Sequence, residues 1–250
     1  MKNFKNLFFA FAMLLTVNAI AQEKQIDITS DFDKIIVSPH ISVDFVQGDK
    51  ASVVVNNIEV PIEKFNYEIK GKTLQVYLEG AKTTTKHEKV YHDGWKQKVP
   101  IYNNNVAHVT ITYVNVDTFS IRGEEDIAFK STMQQEDLTL RIYGESEIKI
   151  KEVDLQNFRV TIYGASELDI DKGTIVKQRY TAYGESTINA ENVESNEAKV
   201  TVYGDGTFHF NVNDRLKVTS YGEADVLYKG DPEVRKGIIL GEANISRISK

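Results

Sequence analysis

Seven segments of this chain align without gaps around a central glycine. They read FSIRGEEDIAF, LRIYGESEIKI, VTIYGASELDI, YTAYGESTINA, VTVYGDGTFHF, VTSYGEADVLY and GIILGEANISR. The glycines are Gly123, Gly144, Gly164, Gly184, Gly204, Gly222 and Gly241, spaced 21, 20, 20, 20, 18 and 19 residues apart. Apolar and polar residues alternate through each segment, which is strand periodicity. Leu138, Leu140, Ile142, Ile148 and Ile150 share one parity, and Phe158, Val160, Ile162, Leu168 and Ile170 share it one repeat later. Such strands bury one face, and a unit of about 20 residues cannot bury it alone, so the units must stack. A propeller blade, or a βαβ unit with its helix, needs more chain than that. Short polar connections such as Lys172-Gly173 and Asn192-Val193-Glu194 read as corners between strands. The expected fold of residues 116–250 is therefore an all-β, single-stranded parallel β-solenoid. Its coils lie about 4.8 Å apart, with equivalent residues in columns.

Residues 22–115 are less regular. DKIIVSPHISVDFVQG, ASVVVNNIEV, NYEIKGKTLQVYLEG and VAHVTITYVNV read as strands and hairpins, with turns at Gln47–Lys50 and Lys70–Lys72. The region reads as weaker versions of the same coil, or as the cap that keeps the terminal coil from exposing a sheet edge. Residues 81–105 form a polar insert that holds the single tryptophan, Trp95. The N-terminus has the form of a signal peptide over residues 1–21. Lys2 and Lys5 precede the apolar run Leu7–Val17, and Ala19-Ile20-Ala21 fits a cleavage site before Gln22. No second apolar stretch follows, so no membrane insertion is expected after cleavage. Cleavage would remove two lysines and no acids, moving the net charge from −6 to −8. That balance disfavours nucleic acid and anionic lipid as partners. With no cysteine, the chain has no disulfide framework, thiolate metal site or cysteine nucleophile.

With the glycine as position zero, alternate residues point outward in columns. Position −5 is basic: Arg159, Arg179, Lys199, Lys217 and Lys236. Position −3 holds Thr161, Thr181, Thr201 and Thr219, and position −1 holds Tyr143, Tyr163, Tyr183, Tyr203 and Tyr221. Position +1 is acidic at Glu124, Glu145, Glu185, Asp205, Glu223 and Glu242, with Ala165 as the gap; position +3 begins Asp126, Glu147 and Glu167. Position +2 points inward and is small after the first coil: Ser146, Ser166, Ser186, Gly206, Ala224 and Ala243. A bulge at a positive-φ glycine would flip the parity beyond it.

The repeated glycine-centred strand pair, the leader and the closing run VLYKGDPEV…GEANI resemble the putative auto-transporter adhesin, head GIN domain family, common in exported proteins of Bacteroidetes. That family typically shows a small-residue motif, often Ser-Gly-Ser-Gly, at each coil. Here Tyr-Gly-Glu-Ser or a close variant stands instead, at Tyr143–Ser146, Tyr163–Ser166 and Tyr183–Ser186. The resemblance spans residues 32–248. It implies a right-handed β-helix in an exported protein, and it implies no catalytic residues. Residues 1–250 hold no barrel-forming translocator, so a complete auto-transporter is not expected.

Two readings of the columns stand. Stacked tyrosines and threonines stabilise regular sheets by themselves. Alternatively, Tyr143, Tyr163, Tyr183, Tyr203 and Tyr221 form a binding strip beside Glu145, Glu185, Asp205 and Glu223, stacking on sugar rings or contacting protein. The carboxylate column would also suit a cation, but the Gly-Gly-x-Gly-x-Asp calcium repeat is missing, so no metal or cofactor is expected. His87 and His92, with Glu88 and Asp93, lie in the insert and read as ordinary loop residues. The threonine ladder is too interspersed with charge for an ice-binding face. The chain is expected to be a periplasmic, surface-exposed or secreted protein, without catalysis, that presents a flat face to glycan or protein. The rivals are a lyase or hydrolase on the same fold, and an envelope stress-related protein with no adhesive role.

Overall fold

The computed structural model describes residues 24–92 and 95–248. The leader predicted over residues 1–21 and Asp93 lie outside the described residues. The chain is 77% strand and winds about six turns of β-solenoid. The strands of the N-terminal half are β1 (Lys24–Asp27), β2 (Lys34–Val37), β3 (Ile41–Gln47), β4 (Ser52–Ile58), β5 (Phe65–Lys70), β6 (Thr73–Leu78), β7 (His87–His92), β8 (Trp95–Pro100) and β9 (Ala107–Tyr113). Those of the C-terminal half are β10 (Thr118–Gly123), β11 (Ile127–Gly144), β12 (Glu147–Gly164), β13 (Ser166–Ile170), β14 (Gly173–Lys229) and β15 (Glu233–Arg247).

One coil is three straight runs. β11 and β12 pair in parallel at Ile127–Phe129 with Ile148–Ile150, at Thr132–Gln135 with Glu152–Leu155, and at Asp137–Gly144 with Asn157–Gly164. Like therefore sits over like, as the repeat demands. The inward column is fully buried: Leu138, Leu140, Ile142, Ile148 and Ile150 are each 2% exposed or less. A chain of hydrogen bonds satisfies the polar groups that enter this core. Tyr180 Oη donates to Gln178 Oε1 (2.8 Å), Gln178 Nε2 to Ser195 Oγ (2.7 Å) and Ser195 Oγ to the Asn211 carbonyl (2.8 Å).

The N-terminal half contains the same coil without its glycine. β2 pairs in parallel with β10 on one side and β6 on the other, and β3 pairs in parallel with β11 and β9. Val37 lies over Ile121 and Val43 over Ile127, so Ser38-Pro39-His40 occupies the corner that Arg122-Gly123-Glu124 occupies next. In the layer above, Val76 pairs with Val37 and Val109 with Val43. The polar insert leaves the solenoid at this corner, and β7 and β8 form an antiparallel ribbon within it. β5 runs antiparallel to β6, β4 to β9, and β1 to β4. These antiparallel strands cover the end of the parallel stack, which would otherwise offer unpaired backbone groups.

At the opposite end, one expected column slips. Val218 pairs with Lys236 but Ser220 with Ile239, so β15 carries one extra residue there. The residue over Lys217 is Arg235, not Lys236. The extra residue beside Gly237 displaces Lys236 from the basic column that gap-free alignment assigned to it.

Candidate functional site

The glycine corner organises everything outside it. At Gly164, φ is 127°, a region closed to most side chains. A Cβ there would also strike the carbonyl oxygen of Gly144 in the preceding coil. The corner thus brings backbone against backbone, and only glycine permits it. Parity survives the corner: Tyr163 points out, Ser166 points in and Leu168 is buried. The small inward residue at +2 has a further task. Ser146 Oγ donates to the Gly123 carbonyl and Ser166 Oγ to the Gly144 carbonyl, both at 3.0 Å. Each hydroxyl staples its coil to the one before.

The outward tyrosines stack in one continuous column. Ring centroids lie 5.1 Å apart for Tyr143–Tyr163, 4.8 Å for Tyr163–Tyr183, 4.7 Å for Tyr183–Tyr203 and 4.8 Å for Tyr203–Tyr221, with planes within 5° of parallel. The spacing matches the separation of adjacent strands, so ring planes follow the strands and ring faces turn toward one another. Tyr163, Tyr183 and Tyr203 have both faces covered by neighbours. Outward they offer rims and phenolic hydroxyls, which explains exposures of only 37–42%. Leu240 is the register partner of Tyr221 at one end, and Arg122 that of Tyr143 at the other.

Beyond the corner, Glu145, Glu185, Asp205 and Glu223 are exposed in a parallel column. The Glu223 N–H donates to Asp205 Oδ1 at 3.3 Å. Among the described residues no group of three or more His, Asp or Glu has a metal-holding arrangement.

At its N-terminal end the tyrosine column opens into a cleft of about 820 Å³. One wall is the base of the insert, Thr83–Thr85 with Asn104 and Asn105; the other is the corner Arg122–Asp126 with the Tyr143 ring. His40 joins the two walls. Its Nδ1 lies 2.7 Å from the Asn104 carbonyl and its Nε2 2.6 Å from Thr85 Oγ1. A carbonyl only accepts, so Nδ1 carries a proton at this contact. The left-handed backbone of His40, φ 71°, turns the ring into this position. Below it, Glu125 is 8% exposed. Its Oε1 accepts from the His40 N–H (2.7 Å) and its Oε2 from the Glu124 N–H (3.0 Å). Burial holds its carboxyl above the usual range, against the pull of those N–H groups and of the His40 ring.

Sequence reasoning did not assemble this cleft. One signal was present: Glu125 is the +2 residue of the first coil, where every later coil is small. His40, Thr83–Thr85, Asn104 and Asn105 carried none, because the insert brings them together across about 60 positions of chain. His87 and His92 stand at opposite ends of β7, paired with Pro100 and Trp95, roughly 17 Å apart at strand rise. Trp95 is 82% exposed on the ribbon and does not line the cleft.

The sequence profile of the family described as putative auto-transporter adhesin, head GIN domain, matches residues 31–232. The chain belongs to this family. No curated protein matches the sequence. The GIN domain superposes on the crystal structure of a putative adhesin from Bacteroides fragilis with a TM-score of 0.73 at 17% identity, covering 91% of this chain and 97% of that one. A putative lipid binding protein from Parabacteroides distasonis gives 0.63 at 17% identity over 91% and 97% of the two chains. A putative adhesin from Parabacteroides distasonis gives 0.60 at 21% identity over 90% and 96%. These likenesses establish a shared fold. Among the described residues of this GIN domain, no helix is long and apolar enough to cross a membrane.

Proposed function

We propose that this GIN-domain protein is an exported, adhesin-like binding module of the cell envelope or surface, without catalytic activity. Its contact surface is the corner: the hydroxyl edge of Tyr143, Tyr163, Tyr183, Tyr203 and Tyr221, the carboxylates of Glu145, Glu185, Asp205 and Glu223, and the cleft at their N-terminal end. The observation that carries this reading is the continuity of the column with the cleft. Tyr143 is both the first ring of the ladder and part of the cleft wall. A linear glycan or an extended protein segment running along the axis would meet hydroxyls and carboxylates at a repeat of about 4.8 Å. Its end would enter a pocket of threonine, asparagine and arginine, side chains that pair with hydroxyls and amides. The ligand would touch ring rims and hydroxyl groups, since the faces are occupied by neighbouring rings.

Catalysis would need an acid or base free to reach a substrate. The buried acid of the cleft, Glu125, instead has both oxygens committed to backbone N–H groups. Glycan-array binding by the purified protein tests the proposal. Replacing Tyr163, Tyr183 and Tyr203 together by Ser is expected to abolish array binding while leaving the far-UV circular dichroism unchanged. Binding that survives the triple replacement would sink the ladder reading. Depolymerisation of a bound polysaccharide by the purified protein would replace it with an enzyme.

A further inference from the structure

We infer that this protein carries a second binding surface, separate from the tyrosine corner: a cationic stripe that holds a linear anionic polysaccharide. The stripe is independent of the ladder reading. It lies on the third run of each coil, at the far edge of the same sheet. Arg159 lies over Arg179, and Lys217 over Arg235, with Lys199 between them by the same repeat. Lys177 and Arg215 extend it sideways, two positions nearer the preceding corner. All of these but Arg235 line a shallow groove of about 190 Å³.

The chain as a whole is acidic, with a net charge of −6, and that balance hides the stripe. Within it, seven cations stand with two acids, Glu197 and Glu233, in the column of Lys177 and Arg215. Both acids are already spent locally: Glu197 pairs with Arg215 at 3.7 Å, and Glu233 with Arg235 at 2.8 and 2.9 Å. Among the described residues, Arg159, Lys177, Arg179, Lys199 and Lys217 have no carboxylate within ion-pairing distance. Like charges repeat down the stripe at about the strand separation of 4.8 Å. A polyanion laid along the axis would relieve that repulsion at every step.

The geometry selects the kind of polyanion. One cation per coil corresponds to one charge per sugar-length step of an extended uronate or sulfated chain. Beside the cations runs the column Thr161, Thr181, Thr201 and Thr219, whose hydroxyls suit sugar hydroxyls. Single-stranded nucleic acid instead relies on open aromatic faces for stacking, and here the tyrosine faces are stacked on one another. The cations and the tyrosines are four residues apart along the strand, roughly 13 Å, so one polysaccharide chain does not span both.

The test uses calorimetric titration of the purified protein with polygalacturonate, with its fully methyl-esterified form, and with single-stranded DNA. Polygalacturonate is expected to bind, with affinity falling as salt rises, and the uncharged ester is expected not to bind. Combining Arg159→Gln, Arg179→Gln and Lys199→Gln, all surface positions, should weaken polygalacturonate binding by about tenfold and flatten its salt dependence. Replacing Tyr163, Tyr183 and Tyr203 by Ser should leave it unchanged, which separates failure of this proposal from failure of the corner. Binding of the ester as tight as that of the acid would overturn the inference. So would an unaltered affinity in the triple Gln variant, or tighter binding of the DNA than of polygalacturonate.

Discussion

Replacing Gly164 by Ala tests the corner that holds the columns in register. The added Cβ meets two obstacles. At φ 127° an L side chain is strained by about 1–3 kcal/mol. The methyl also strikes the Gly144 carbonyl, which must move away from the Ser166 hydroxyl that donates to it at 3.0 Å. Losing that bond costs about 1 kcal/mol. Against these, alanine restricts the unfolded chain and returns about 0.4–1 kcal/mol. The net loss is about 1–3.5 kcal/mol, a sizeable share of the roughly 5–15 kcal/mol available to a domain. Gly71→Ala is the control. Gly71 also has positive φ, 58°, but a methyl added there would meet nothing within 4 Å, so its cost should stay near about 1 kcal/mol. Urea unfolding followed by far-UV circular dichroism reads both. Because stacked coils couple mainly to nearest neighbours, Gly164→Ala is also expected to broaden or split the transition. If the two variants lose equal stability, contact between glycine corners is not what demands glycine there.

Three further outcomes follow from the described geometry. Tyr180→Phe removes the donor to buried Gln178 Oε1, and urea unfolding should show a loss of about 1–3 kcal/mol for the orphaned acceptor; no loss would mean that water or a rearranged amide replaces it. Deleting residues 87–100 removes a ribbon whose described side chains are almost all exposed, while the Gly80–Lys86 and Lys86–Ile101 backbone bonds close its base. The melting temperature should stay within a few degrees, and a large drop would place core contacts in the ribbon. The burial that raises the Glu125 pKa favours the protonated, folded form, so its contribution is most favourable below the ordinary value of 4.5 and is lost as pH rises through the folded value. Wild-type protein should therefore lose stability relative to Glu125→Gln as pH rises above the ordinary value of 4.5; a difference that does not vary with pH would show that the carboxyl is not desolvated.

Much of the solenoid was legible because it depends on two short-range regularities, strand parity and a fixed corner. Ile142, Ile148, Ile162 and Leu168 keep their parity through the glycine because the corner turns the chain without adding a residue. The last coil escaped for the opposite reason: one added residue near Gly237 shifts Lys236 without altering the alternating pattern around it. In the N-terminal coil Pro39 takes the position of the glycine, so the motif search passes over it, and its neighbours in space, β6 and β9, are separated in sequence by the insert. The antiparallel cap follows from long-range pairing that no local pattern encodes. The cleft was hidden likewise, since His40 and Asn104 meet only after the coil closes. Column membership of the tyrosines was readable from spacing, but the direction of their ring faces depends on side-chain rotamers, which spacing does not specify.

The span from Val37 to Val43, from Ile121 to Ile127 and from Ile142 to Ile148 is constant, whereas glycine spacing varies from 18 to 21. Slack is thus absorbed at the other two corners of each turn. Duplicating or deleting a whole turn would reproduce existing joints and alter only the overall length, by about 4.8 Å per turn. A receptor that grips repeated epitopes could then gain avidity by tandem duplication alone, each new turn adding one more point of attachment without redesign of any contact.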